Sequence, residues 1–341
     1  MFSKPPANLK WLLNLGIRKI SSRSHYFDLV AAIENHSVLG RHHLNVQMQT
    51  VSACNASCYF CPYQESWHKQ HPGRMNEAMY RKIIDEVSCF KIGKFCPYLE
   101  NEPLLDSQIL DRIEYALSKL NPTLIELSTN ASILTKSKID DIARLFSRVK
   151  HEIWISFHGI DKASFESIMG LDFDTCKHNV LSLVEKAQQS NLNIIIQGAG
   201  LPRVKKGKMP LWFNRKQYFH FWKTTFKEQG FKRLPNVRFF TYHDRAGQIR
   251  RNEINFAEIV RPNLEGFYCP RVDQWAHFLY NGELILCCMD YHRDTVFGNI
   301  NKNTLKEIYM SKTFKTLALK TVGKVRSSED FICKRCISPG G

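Results

Sequence analysis

The chain has 341 residues, 43% of them hydrophobic and 23% charged, with 48 Lys and Arg against 32 Asp and Glu. This composition excludes a disordered or low-complexity chain, and the length suits one large domain and a smaller one. No run approaches the roughly 18 apolar residues of a membrane span. The N-terminal apolar stretch is broken by Asn14, Arg18 and Lys19, so it reads as an amphipathic helix at 9–20 rather than a signal peptide. A cytoplasmic protein is expected.

In chain order, "LNVQMQT" (44–50) alternates as a strand and runs into "CNASCYFCPY" (54–63). A helix over 76–88 opens on Asn76 as its N-cap. A strand near 94–99, a helix near 107–119, a strand at 124–129 and a helix near 135–147 follow. Next come a strand at 152–157, helices near 162–168 and 174–190, and a strand at 192–198. Repeated strand–helix units predict an α/β fold with a parallel sheet, open or closed into a barrel, whose chemistry sits at the carboxyl ends of its strands. Further on, Asn281-Gly282 between two apolar runs predicts a hairpin, followed by a turn and a helix.

Eleven cysteines are many for a compartment where disulfides are rare, and clustered ones there mean metal or catalysis. Cys54, Cys58 and Cys61 form one group; Cys269, Cys287, Cys288, Cys333 and Cys336 form a second. Cys89, Cys96 and Cys176 stand alone and read as structural. Three thiolates from one loop, with no local fourth ligand, suit an iron–sulfur cubane with one open iron. Zinc is the rival, for both groups.

Cys54-x3-Cys58-x2-Cys61, with Phe60 before the last cysteine and a strand before the first, resembles the radical S-adenosylmethionine (SAM) superfamily. The resemblance implies a [4Fe–4S] cluster on these three cysteines, with SAM chelating the open iron. "LENEPLLD" (99–106) is similar to the family's Gly-Gly-Glu-Pro segment, with Glu100 and Asn101 in place of the glycines. That match gives Glu102 to the SAM amino group; a helix-start carboxylate is the alternative. "ELSTNAS" (126–132) and "ISFHGID" (155–161) resemble further segments of the family, which implies Ser128, Asn130 and Ser156, with Phe60, as SAM-site residues. Gly198 would let the adenine approach the backbone. His158 and Met169 stand where the family often has aspartate and arginine, so no arginine contact is carried over.

Cys269-x17-Cys287 with the distant Cys333-x2-Cys336 resembles the twitch domain, a shortened SPASM extension, as found in aminocyclitol dehydrogenase-type members. It implies an auxiliary [4Fe–4S] cluster on Cys269, Cys287, Cys333 and Cys336, with Cys288 as a neighbour. The implied architecture is a partial (β/α)6 radical SAM barrel with a small C-terminal β-hairpin-plus-helix domain. Its expected parts are an N-terminal helical segment (1–43), the barrel (44–235) and the auxiliary domain (236–341).

Two clusters imply hydrogen-atom abstraction and an acceptor for the electron left behind, hence oxidation of an alcohol carbon in a sugar, aminocyclitol or nucleotide-linked sugar. A base is needed for the hydroxyl proton, and "YHDRAG" (242–247) offers His243, Asp244 and Arg245, with Arg245 the candidate. An epimerase would need a thiol hydrogen donor, for which Cys288 and Cys96 are candidates. The other readings are a peptide-modifying enzyme, an RNA-modifying enzyme and a non-catalytic metal or nucleic-acid-binding protein. An external electron donor such as flavodoxin or ferredoxin is implied. Residues 203–233 carry ten basic residues against Glu228, interleaved with aromatics. That suits a phosphorylated or nucleotide-linked substrate or a nucleic acid, or else an amphipathic helix near 215–229 with its aromatics in the core.

Overall fold

The computed structural model describes residues 23–200, 213–249 and 260–336. The strands are β1 (Leu44–Met48), β2 (Ile92–Cys96), β3 (Leu124–Thr129), β4 (His151–Ser156), β5 (Ile194–Gly200), β6 (Asn236–Thr241), β7 (Trp275–Phe278), β8 (Glu283–Ile285) and β9 (Val296–Asn299). They form one sheet in the order β6-β5-β4-β3-β2-β1-β7-β8-β9. Neighbours from β6 through β1 to β7 run parallel, while β8 and β9 are antiparallel. This is the expected parallel α/β sheet of a partial barrel, with an antiparallel hairpin region at its C-terminal end.

The connecting helices form for local reasons. Helix α1 (Glu77–Val87) is N-capped by Asn76, whose side chain accepts from the Met79 N–H at 2.8 Å. Its buried residues Met79, Tyr80, Ile83, Ile84 and Val87 recur at helical spacing and make one core face. Helices α2 (Ile109–Lys119), α3 (Lys136–Phe146), α4 (Lys162–Met169) and α5 (Phe173–Gln189) follow β2, β3 and β4. An Asp161–Ser164 capping box starts α4, and Gly170, at φ +64°, ends it. In α6 (Arg215–Glu228) the buried residues are Tyr218, Trp222, Thr225 and Phe226. Those aromatics are core, as the amphipathic-helix reading has it, and are not available to stack on bases. Residues 201–212 and the expected N-terminal helix lie outside the described residues.

Two features depart from the sequence reading. The second strand starts at Ile92, two residues earlier than expected, so 97–102 is a loop at its carboxyl end. β6 begins just past the expected boundary at 235 and pairs with β5 from Ile195↔Asn236 to Gly200↔Thr241. It therefore belongs to the barrel sheet, not to the C-terminal unit. The hairpin continues the same sheet: β7 pairs with β1 from Asn45↔Trp275 to Met48↔Phe278, which brings the second cysteine group beside the first strand. Gly282, at φ +84°, makes its turn possible.

β3 and β4 bury alternate residues. Ile125, Leu127, Ile153 and Ile155 face the helices, while Glu126, Ser128, Trp154 and Ser156 face the half-open interior. Arg238 of β6 lies 4.8 Å over the Trp154 ring, and Lys94 of β2 reaches Glu126 at 2.6 Å. The interior is thus polar. Among the described residues no helix is long and apolar enough to cross a membrane.

Candidate active site

The loop carrying Cys54, Cys58 and Cys61 leaves the carboxyl end of β1 and is pinned on three sides. Tyr63 bridges it, accepting from the Cys54 N–H and donating to the Ser52 carbonyl, each at 2.9 Å. The Glu102 N–H donates to the Ala53 carbonyl at 3.0 Å. The Ser57 and Tyr59 N–H groups donate to the carbonyls of Met169 and Ile168 at the end of α4. Burial pushes the Cys54 thiol up to about 12, with the charges of Glu102 and Cys61 adding to it. Cys58 is also raised, first by burial and then by Cys61 and Cys54. Three thiols within one another's field, with Lys69 and Arg245 the cations that act on them, fit an iron–sulfur core whose positive iron offsets their repulsion.

The second group surrounds a volume. A cavity of about 150 Å³ is lined by Cys269, Cys287, Cys333 and Cys336, together with Arg271 and Met289. Cys288 is not in its wall. Among the described residues no three His, Cys, Asp or Glu side chains converge closely enough to hold a single metal ion. Four thiols around one volume fit a cluster held at its corners. Cys288 turns the other way: it contacts Cys287 and His277 and lies in the field of Arg271. Cys96, on β2 opposite Gln47 of β1, is close enough for Cys288 to raise its thiol further after burial and Glu126. The two candidate thiols share one region of the interior.

The expected SAM-site residues have mixed surroundings. Ser128 and Ser156 present half-buried hydroxyls at the carboxyl ends of β3 and β4, and Ser156 accepts from Gln197 at 3.2 Å. Asn130 ties the cysteine loop to β3, donating to Asn55 at 2.9 Å and accepting from Ser132. Phe60 is wholly buried, its ring 3.8 Å from that of Tyr242. Glu102 turns inward: its carboxylate accepts from the Thr129 hydroxyl at 2.7 Å, the Asn130 N–H at 2.7 Å and the Leu104 N–H at 3.1 Å. It caps the short helix Pro103–Leu105, not the helix near 107–119, which starts at Ile109 behind Gln108. Gly198 is likewise explained by the protein, because a Cβ there would lie 2.5 Å from the Tyr218 ring.

Arg245 sits half-buried at φ +51°, over the Tyr242 ring at 5.4 Å and 3.6 Å from the Met289 sulfur. Its charge is felt by Cys58 and Glu100, so it lies between the two cysteine groups. His243 accepts from the Arg245 N–H at 3.1 Å and is held down at about 4, first by burial and then by Arg245. Asp244 is buried.

The sequence reading gave no site role to Gln47, Gln49, His68, Glu100 or Tyr291. Tyr291 reaches the Cys61 sulfur at 3.9 Å, and its carbonyl accepts from the Trp67 N–H at 3.1 Å. Gln47, Gln49, His68 and Glu100 are buried with side-chain polar atoms that find no protein partner. Such groups are costly unless water or a ligand meets them. A signal existed: glutamines at 47 and 49 are odd in a central parallel strand, which is ordinarily apolar throughout.

An iron–sulfur cluster-binding domain, SPASM, matches residues 269–337. The S-adenosyl-L-methionine-dependent 2-deoxy-scyllo-inosamine dehydrogenase of Niallia circulans is 21% identical over 169 residues, covering 44% of this chain and 66% of that relative. Streptococcus suis SuiB bound to S-adenosylmethionine superposes with a TM-score of 0.54 at 13% identity, covering 93% of this chain and 73% of that one. BtrN in complex with AdoMet and 2-DOIA superposes with a TM-score of 0.49 at 14% identity, covering 83% and 89%.

Proposed function

We propose that this chain, whose residues 269–337 match a SPASM iron–sulfur cluster-binding domain, is a radical SAM enzyme that oxidises an alcohol carbon in a polar small molecule of the sugar or aminocyclitol class. The cofactors that this reading gives it are SAM and [4Fe–4S] clusters, one of them auxiliary. In this reading Cys54, Cys58 and Cys61 hold the first cluster, and Cys269, Cys287, Cys333 and Cys336 the second. When bound, SAM and the reduced first cluster supply the abstraction of a hydrogen atom from an unactivated carbon, and the auxiliary cluster an acceptor for the remaining electron.

The observation that carries the reading is the cavity with four cysteines in its wall. Four protein thiolates leave a cluster no open iron for substrate, so its use is electron transfer, which makes the net reaction an oxidation. The chain's own part is placement. The pinned loop fixes the first three thiols, Glu102 and Asn130 lock the β3 end against that loop, and the polar interior between the two groups receives the substrate. The dehydrogenase relative supports the substrate class, over 66% of its length.

The test is anaerobic turnover of reconstituted protein with reductant and SAM in deuterated water, with 2-deoxy-scyllo-inosamine and scyllo-inositol offered as probes. A product lighter by two hydrogens is expected. An isomer carrying one carbon-bound deuterium, lost in Cys288→Ala or Cys96→Ala, would overturn oxidation in favour of epimerisation. Modification of a peptide with both probes untouched would move the protein to the peptide-modifying class; one fold neighbour was solved bound to a precursor peptide.

A further inference from the structure

Oxidation of an alcohol leaves one item of chemistry to the protein. The carbon gives up a hydrogen atom and the substrate an electron, both to the centres named above; the hydroxyl proton must go to a side chain. Arg245 is a poor base, because a guanidinium keeps its proton.

His68 and Glu100 are better placed. His68 Nε2 lies 2.6 Å from Glu100 Oε2, and both side chains are completely buried. The two atoms are within proton-transfer distance, and beyond this contact no nitrogen of His68 or oxygen of Glu100 has a protein hydrogen-bond partner. Glu102, two residues on, shows what a structural carboxylate looks like here, with three donors on its oxygens. Glu100 also stands at a position where the related segment has glycine, so the fold does not require a side chain there. The pair sits where the two cysteine groups meet. His68 lies on the short helix Trp67–Gln70, which bonds to the Tyr291 carbonyl, and Glu100 lies in the field of both Cys61 and Cys288.

The charges facing the pair favour a neutral acid beside a neutral imidazole. Burial, then Asp290, Cys288 and Cys61, hold the Glu100 carboxyl well above the usual carboxylate range, against Arg245. Burial, then Arg293 and His71, hold His68 down at about 4. One proton lies between the two side chains, and the imidazole keeps a lone pair for a second.

We propose that Glu100 is the catalytic residue that takes the substrate's hydroxyl proton, with His68 as the base behind it; this rests on the alcohol-oxidation reading above. The O–H bond breaks heterolytically, its proton going to Glu100 Oε1 while the proton on Oε2 passes to His68 Nε2. As the electron leaves, the hydroxyl becomes that of a protonated ketone, a strong acid, so even a weakly basic imidazole suffices.

The experiment uses reconstituted holoenzyme and 2-deoxy-scyllo-inosamine deuterated at its hydroxyl-bearing carbons. Glu100→Gln keeps the shape and a donor toward His68 but cannot relay a proton. It is expected to move deuterium into 5′-deoxyadenosine within about threefold of the wild type, while ketone formation falls about a hundredfold or more. His68→Gln should show the same split, and Glu100→Asp should recover part of the ketone. Ketone at the wild-type rate in Glu100→Gln overturns the proposal. So does loss of deuterium transfer together with ketone, which marks a binding or structural role. A second readout needs no substrate: the carbonyl absorption of a protonated carboxyl, present in the wild-type infrared spectrum at neutral pH and missing in Glu100→Gln. Its absence from the wild type overturns the proposal. If the band is present but the wild type leaves the probe unchanged, it is the alcohol-oxidation reading that fails.

Discussion

Two glutamates in one four-residue stretch have opposite surroundings, and this decides what each can do. Glu102 is buried and spends its carboxylate on Thr129, Asn130 and Leu104. Desolvation raises its carboxyl to about 6, with those donors pulling it back, so at neutral pH it is mostly ionised and accepts all three bonds. Removing it strands three buried donors. Glu102→Ala should therefore lower the stability of the SAM-free protein by roughly 2–4 kcal/mol, read as a fall in Tm. A side chain that served only to bind SAM would leave that Tm unchanged. The sequence motif located this residue. Its direction depends on Thr129 and Asn130, which are 27 and 28 positions away.

At the scale of elements, the strand–helix alternation was legible because several helices are started by local caps. Asn76, Thr135, Asp161 and Asn214 each accept a backbone N–H three residues on, and each is visible in the sequence as a polar residue before an apolar period. How an element docks was not legible. Helix α6 looks like a basic, aromatic recognition surface, yet Tyr218 packs on Gly198 of β5 and donates to the Phe157 carbonyl at 2.9 Å. Gly198→Ala should cost about 1–3 kcal/mol by overpacking against that ring. In the double variant with Tyr218→Leu the two losses should fall short of their sum, measured by denaturant unfolding. Additive losses would mean that the ring and the glycine are not coupled.

For the whole molecule the decisive junction is β7 on β1, which joins the C-terminal unit to the barrel sheet and sets the two cysteine groups across one polar interior. The cluster assignment predicts about eight irons per reconstituted chain. The Cys54, Cys58, Cys61 triple alanine variant should retain about four, and Cys287→Ala should also lose about four. Cys288→Ala should retain all of them, because Cys288 lies outside the cavity wall. Iron and acid-labile sulfide analysis reads all three, and loss of a cluster in Cys288→Ala would exchange the roles of the two neighbours.

The sequence by itself determined what short-range chemistry specifies: the three-thiol loop, the caps, the glycine turn at 282 and the alternation that makes a parallel sheet. Each depends on residues within a few positions of one another, where spacing alone fixes geometry. Tertiary structure decided what depends on residues far apart in the chain. It turned Glu102 inward, gave Gly198 to Tyr218 and placed β6 in the barrel. It also brought Tyr291 to Cys61 across 230 residues, and His68 to Glu100 in a buried interior. No periodicity encodes such meetings, because they follow from which sheet edges pair and how the helices pack, and those are properties of the assembled chain.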